Sequence, residues 1–336
     1  MALLFMEGFD TYGSVVEMHT DQNINGDTSG VSLPAGRIDG QALRNANAGS
    51  EVIMQFPDSG ATFFYSVRFK CEGAAPIFNT IFDFGNQVGL TINSSRILTV
   101  RRLPSTTLAS FTTALTVDQW HLLEVKIFMN DSTGTVIGRL DGVEEINLTS
   151  QDTLQFAPAL VGFFRFTGNA VGIVLDDLYI GDTTGSDLVD FVGGGGDVHI
   201  ETLDPDGDGA TTDWTPLAST NISNVDEGKT LADDDTSYNS SSTVTDKDLF
   251  TMSAIVGNVD SVVAVQPKLR VRKEDAGTRI LNATIRSNVT EVDSGDISLS
   301  TDWQWKRAIY ENDPDGGGAW DEAAVNAMEV GVELKT

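Results

Sequence analysis

The run best suited to chemistry in this sequence is Asp204-Pro205-Asp206-Gly207-Asp208-Gly209. Carboxylates at alternate positions followed by glycine match the first half of a calcium-binding loop, where hard oxygen donors surround the ion and glycine makes the sharp turn. The bidentate glutamate expected at the twelfth position is missing, and Thr215 stands there. Asp204, Asp206 and Asp208 therefore read either as calcium ligands or as an Asp/Gly-rich turn. Asp233-Asp234-Asp235 reads as a solvated loop.

Other reactive residues form no constellation. His19, His121 and His199 lack zinc-ligand spacing with one another or with Cys71, and no nucleophile elbow, phosphate loop or dinucleotide fingerprint occurs. A carboxylate pair for glycoside hydrolysis needs acids at alternating strand positions, which share a face. Glu144-Glu145 and Asp176-Asp177 are adjacent and would point to opposite faces. No catalytic or cofactor-binding residue is assigned, and the expectation is a chain that is not an enzyme.

Lys268-Leu269-Arg270-Val271-Arg272 would place three cations on one face of a strand, either paired with nearby acids or forming a docking surface for an acidic partner. Tyr238, Trp303, Trp305, Tyr310 and Trp320 are the aromatics of the second half that could serve as glycan platforms. Trp303 and Trp305 are two apart, share a strand face and read rather as core.

Those residues must be positioned by strands. Alternating runs at Thr62–Phe69, Val88–Ile92, Ile97–Arg101, Leu122–Phe128, Val136–Leu140 and Leu160–Phe166 are separated by turn signals such as Asn25-Gly26 and Asp141-Gly142. After four glycines, Gly193 to Gly196, strand patterns return at Ser261–Gln266, Leu269–Val271, Ile280–Arg286, Ile297–Leu299 and Gln304–Tyr310. The pattern predicts an all-β chain of two β-sandwich, jelly-roll-like domains, 1–192 and 197–336, joined by the linker 193–196. One short helix is predicted from Asp321 to Met328, with acids at its start and Val325 and Met328 facing the sheet together.

The net charge is −28, from 49 acidic and 21 basic residues. Nucleic acid and anionic membrane are excluded as main partners, because both demand cations. A single cysteine, Cys71, allows no intrachain disulfide, so core burial must hold the fold. The apolar opening Met1–Met6 is short, lacks a basic start and reads as a first strand rather than a signal segment.

Three segments resemble the laminin-G/concanavalin-type jelly roll: Trp120 to Lys126, Gly138 to Val143, and Leu175-Asp176-Asp177-Leu178-Tyr179-Ile180-Gly181-Asp182, the last resembling its closing strand. The opening Glu7-Gly8-Phe9-Asp10 fits the strand that would pair with that closing strand. In the second half, Gly207 to Pro216, Asn224 to Glu227, Asp233 to Tyr238, Asp246 to Phe250, Val271 to Arg279 and Ala319 to Val332 resemble structural proteins of tailed bacteriophages. That resemblance implies a module of the virion surface, with Trp214, Tyr238 and Trp320 as core aromatics.

The expected function is a decoration, spike or fibre-like component of a capsid or tail. It would be homo-oligomeric, bound to other virion proteins, and able to contact host surface glycans. The alternatives are a carbohydrate-binding adhesin, secreted or virion-borne, and, behind it, a polysaccharide-degrading enzyme.

Overall fold

The computed structural model describes residues 3–73, 79–168, 172–184, 198–257 and 259–336. The predicted glycine linker lies outside them. Two compact units are present: Met1–Asp10, Ser14–His19 and Asn23–Ile200 form unit 1, while Thr11–Gly13, Thr20–Gln22 and Glu201–Thr336 form unit 2. The chain is nearly all β, and no helix among the described residues is long and apolar enough to cross a membrane.

Unit 1 contains β1 (Leu3–Glu7), β2 (Ile24–Gly26), β3 (Val31–Ser32), β4 (Leu43–Asn45), β5 (Glu51–Gln55), β6 (Thr62–Cys71), β7 (Asn79–Phe84), β8 (Val88–Ile92), β9 (Ile97–Arg102), β10 (Thr106–Ala114), β11 (Trp120–Phe128), β12 (Gly134–Leu140), β13 (Val143–Gln151), β14 (Phe163–Thr167) and β15 (Ile173–Asp182). One sheet runs β13-β12-β11-β6-β15-β4-β3, with β1 also on β15; the other runs β10-β9-β8-β7-β14-β5-β2. The closing strand β15 pairs with β1, Phe5 opposite Ile180 and Glu7 opposite Leu178, so of the expected opening segment Glu7 to Asp10 only Glu7 lies in the paired strand.

Period-2 alternation builds the core between these sheets. Phe63, Tyr65, Val67 and Phe69 of β6 face inward and are fully buried. Tyr65 stacks on Phe84 at 4.0 Å, Phe63 meets Phe84 at 5.5 Å, and Phe69 meets Phe82 edge-on at 6.0 Å. Cys71, the last residue of β6, is a free buried thiol.

A sharp turn joins β12 to β13. Asp141 and Gly142 both take positive φ, 51° and 79°, as a primed two-residue turn requires. Asp141 also accepts from Leu122 N at 2.8 Å and meets His121 Nδ1 at 2.7 Å, while His121 Nε2 accepts from Thr116 N at 3.0 Å. The acceptor role of Nε2 puts the ring proton on Nδ1.

Unit 2 contains β16 (Pro205–Thr212), β17 (Thr215–Pro216), β18 (Asn239–Ser240), β19 (Lys247–Met252), β20 (Lys268–Val271), β21 (Ile280–Ser287), β22 (Thr290–Asp293), β23 (Ile297–Ser298), β24 (Gln304–Arg307) and β25 (Glu329–Leu334). A six-stranded antiparallel sheet runs β16-β19-β25-β21-β22 with β23 on β21; β17–β18 and β20–β24 form two ribbons. The helix spans Glu322–Ala327, capped where Asp321 Oδ1 accepts from Ala324 N at 2.8 Å. Val325 and Met328 pack with Val265, Ile285 and Trp320 in one core cluster.

Local pattern misjudged some elements. Ser261–Gln266 is not a strand; of it, Val265 makes a bridge to Tyr310 and fills the core. Val15–Met18 forms a four-residue helical turn, capped by Ser14, that no long periodic pattern announces.

Candidate functional site

The face of the eight-stranded sheet turned away from the core of unit 1 carries polar side chains in register, some of them buried. One cross-strand row reads Met6, Tyr179, Ser66, Glu124, Arg139 and Glu144. Beside it lie Arg68 and Leu122 in register, then Lys70 and Trp120, with the Lys70 ammonium 5.2 Å from the indole centre. Lys126 follows on the opposite flank, in register with Phe64. Trp120, Lys70, Arg68, Lys126 and Arg139 are half-buried, whereas Ser66, Glu124 and Tyr179 are buried. Alternation on four strands brings these residues to one face, although they span more than a hundred positions.

Next to this face, Asp10, Ile38, Asp39, Asp176, Asp177, His199 and Ile200 line a small cleft. The expectation that Asp176 and Asp177 diverge is corrected. The β15–β6 register shifts between Asp176 and Tyr179, and Asp177 takes φ 50°, so both carboxylates turn to one place. Arg37 engages both: its N donates to Asp176 Oδ2 at 2.8 Å and its Nε to Asp177 Oδ2 at 3.0 Å. Ile200 N donates to Asp177 Oδ1 at 2.7 Å. Gly40, at φ 58°, lets the backbone close over Asp10, whose Oδ1 would lie 1.9 Å from any added Cβ.

Burial, reinforced by the Asp177 charge, pushes the Asp176 carboxyl up to about 8 against the opposing hydrogen bonds from backbone N–H groups. Burial likewise raises Asp177, offset in part by Ile200 N and the Arg37 guanidinium. The pair can hold a proton at neutral pH, a property no strand periodicity foretells.

The candidate calcium ligands occupy a different setting from the loop or turn expected. Residues 205–212 form the strand β16 at the edge of the six-stranded sheet, where a leading proline breaks no ladder. Partner β19 crosses so closely that a Cβ on Gly209 would meet Leu249 O at 2.7 Å. Asp206 and Asp208 are exposed; Asp206 accepts from Thr251 Oγ1 at 2.6 Å and Asp208 from Ile222 N at 2.8 Å. Asp204 precedes the strand, and burial raises its carboxyl, with Lys229 opposing. Among the described residues, no group of three His, Cys, Asp or Glu side chains is placed to hold a metal ion.

The basic ribbon and the acidic run, read separately in the sequence, meet in space. Arg270 binds Asp234 through two bonds at 2.8 and 2.9 Å, and Arg272 meets Asp235 at 2.9 Å. The Lys268 ammonium sits 3.9 Å from the centre of the Tyr12 ring. Trp305 is buried and Trp320 is in the core, while Tyr238 is half-buried beside Trp303.

No family model matches the sequence, and no curated protein matches it. Among solved structures, the chain is similar to alginate lyase Aly36B at 13% identity and a TM-score of 0.40, over 54% of this chain and 98% of that one. It is also similar to a sialidase at 12% identity and a TM-score of 0.40, over 54% of this chain and 19% of that chain. A Trypanosoma rangeli sialidase follows at 10% identity and a TM-score of 0.32, over 47% and 29%. The chain is a β-sandwich protein by its own sheets, and the solved structures to which it is similar at low identity are a lyase and sialidases. The expectation of a non-enzyme is corrected by these likenesses, which are to a lyase and to sialidases. Acid-pair spacing and the nucleophile, phosphate-loop and zinc signatures are local patterns, and none of them shows Tyr179, Arg68, Lys126 and Arg139 coming together across strands.

Proposed function

We propose that the chain is a carbohydrate-binding component of a tailed-phage particle surface, engaging glycan through the outward face of the eight-stranded sheet. The observation that carries the glycan reading is the row around Glu124, with Arg68 and Lys126 on its two flanks and Trp120 farther along the same strand, paired with Lys70. Fixed guanidinium and ammonium donors bind sugar hydroxyls, and an indole ring offers an apolar surface to a pyranose. The particle reading is supported by the segments of residues 207–332 that resemble phage structural proteins. Repeated copies on a particle would convert weak single contacts into strong attachment.

A glycan array probed with the whole chain tests the binding. Binding that falls at least tenfold in Trp120→Ala or Arg139→Ala supports it; absence of any bound glycan overturns it. Quantitative mass spectrometry of gradient-purified particles tests the location. Copies matching the capsid lattice mark a decoration protein, about three to a dozen mark a spike, collar or tail appendage, and absence sinks the particle reading.

A second reading is polysaccharide cleavage on the same face. It is favoured by Tyr179 standing in register across Ser66 from Glu124, with Arg68, Lys126 and Arg139 around them. Cations there would neutralise an acidic sugar and make a proton beside its carboxylate easier to remove. Turnover of alginate by the pure chain, lost in Tyr179→Phe, would establish it.

A further inference from the structure

Trp303 sits just before β24, half-buried and held by three neighbours. Its Nε1 donates to Asp235 Oδ1 at 3.2 Å, the Arg272 guanidinium lies over the ring at 5.1 Å, and Tyr238 stands 6.4 Å away at 58°. Arg272 is fixed in turn by Asp235 at 2.9 Å and Glu274 at 3.7 Å. The neighbouring Arg270 clamps Asp234 of the same acidic run. The strand register does not account for this arrangement, because Trp305 alone of the two tryptophans is buried.

We propose that Trp303, Tyr238, Arg272 and Asp235 form a glycan-binding subsite on unit 2 for a neutral pyranose. The indole face not covered by the Arg272 guanidinium would meet the electropositive C–H face of a sugar ring. An aromatic ring already fixed by its neighbours loses little freedom on binding. Asp235 accepts from sugar hydroxyls and Arg272 donates to them. Charge selects the sugar class: the side chains of Asp235 and Glu274 are 70% and 74% exposed beside the ring and would repel a carboxylated sugar. The subsite lies on different strands from the face assigned in unit 1, so either can fail alone.

The test is affinity electrophoresis of the whole chain through gels containing a neutral glucan, galactan or mannan, with alginate as the acidic comparator. The proposal expects retardation by at least one neutral polysaccharide. Trp303→Ala should weaken it at least tenfold, Trp303→Phe should keep part of it, and Val16→Ala, at an exposed position outside both proposed faces, should leave it unchanged. Asp235→Asn, which keeps the shape and removes the charge, should admit alginate more readily. Thermal unfolding of each variant separates lost binding from lost fold. Migration unaffected by all three neutral gels overturns the proposal, as does retardation undiminished in a folded Trp303→Ala chain. Retardation lost in Trp120→Ala but kept in Trp303→Ala supports the unit 1 face and overturns this subsite.

Discussion

Arg37 Nε donates to Asp177 Oδ2 at 3.0 Å with both side chains nearly buried, at 12% and 6% exposure. Removing one partner of such a pair strands the other charge away from water. Arg37→Met should lower the stability of unit 1 by about 3 kcal/mol, read as a shift of the denaturant midpoint.

The same cleft gives a pH dependence of defined sign. Asp176 has a folded value near 8, above the unfolded range of about 4, so the folded state holds the extra proton between those limits. Stability contributed by this group therefore falls as pH rises from about 4 to about 8. Thermal unfolding across that range should show the melting temperature declining toward alkaline pH. A rise through the window would contradict a protonated Asp176.

Asp141 behaves oppositely. Burial would raise its carboxyl, but the hydrogen bonds from His121 and Leu122 N outweigh that and hold it below the ordinary carboxylate range. Its contribution is present above the unfolded value and is lost as pH falls through the depressed folded value. Asp141→Asn tolerates the positive φ yet cannot satisfy both donors, so it should cost about 1 kcal/mol at neutral pH. A chemical denaturation series on this variant measures it.

Cys71 should be inert in the folded chain. Burial, against a weak opposing effect of Arg96, pushes its thiol up to about 12, leaving little thiolate at neutral pH. A thiol reagent at pH 7.5 should label the chain only after denaturant is added, and reducing agent should leave the melting temperature unchanged.

Phe84 touches Phe63, Tyr65 and Phe164 between the two sheets of unit 1. Phe84→Ala should destabilise that unit by about 3–5 kcal/mol through the lost transfer energy and the cavity left behind. Calorimetry of the variant should show one unit melting early.

Much of the fold is legible in local pattern. Alternation in Thr62–Phe69 already implies one buried face, the Asp-Gly pair implies the tight turn before Val143, and the Ala-rich stretch after Asp321 implies the short helix. These features follow from backbone geometry that each residue and its near neighbours decide. The lone cysteine likewise excludes an intrachain disulfide without any structure, and the net charge sets an expectation against nucleic acid as main partner.

Tertiary structure alone decided the sites. Asp176 and Asp177 share a cleft because a register shift and a positive φ override the period of two. Residues 205–212 became a strand because β19 offered an edge, although their own pattern read as a calcium loop or a turn. Trp303 meets Asp235 across 68 positions of sequence, and Tyr179, Ser66, Glu124 and Arg139 align only once four strands pair. Local sequence sets which face a side chain takes; which distant faces meet depends on sheet pairing, whose free energy is summed over contacts far apart in the chain.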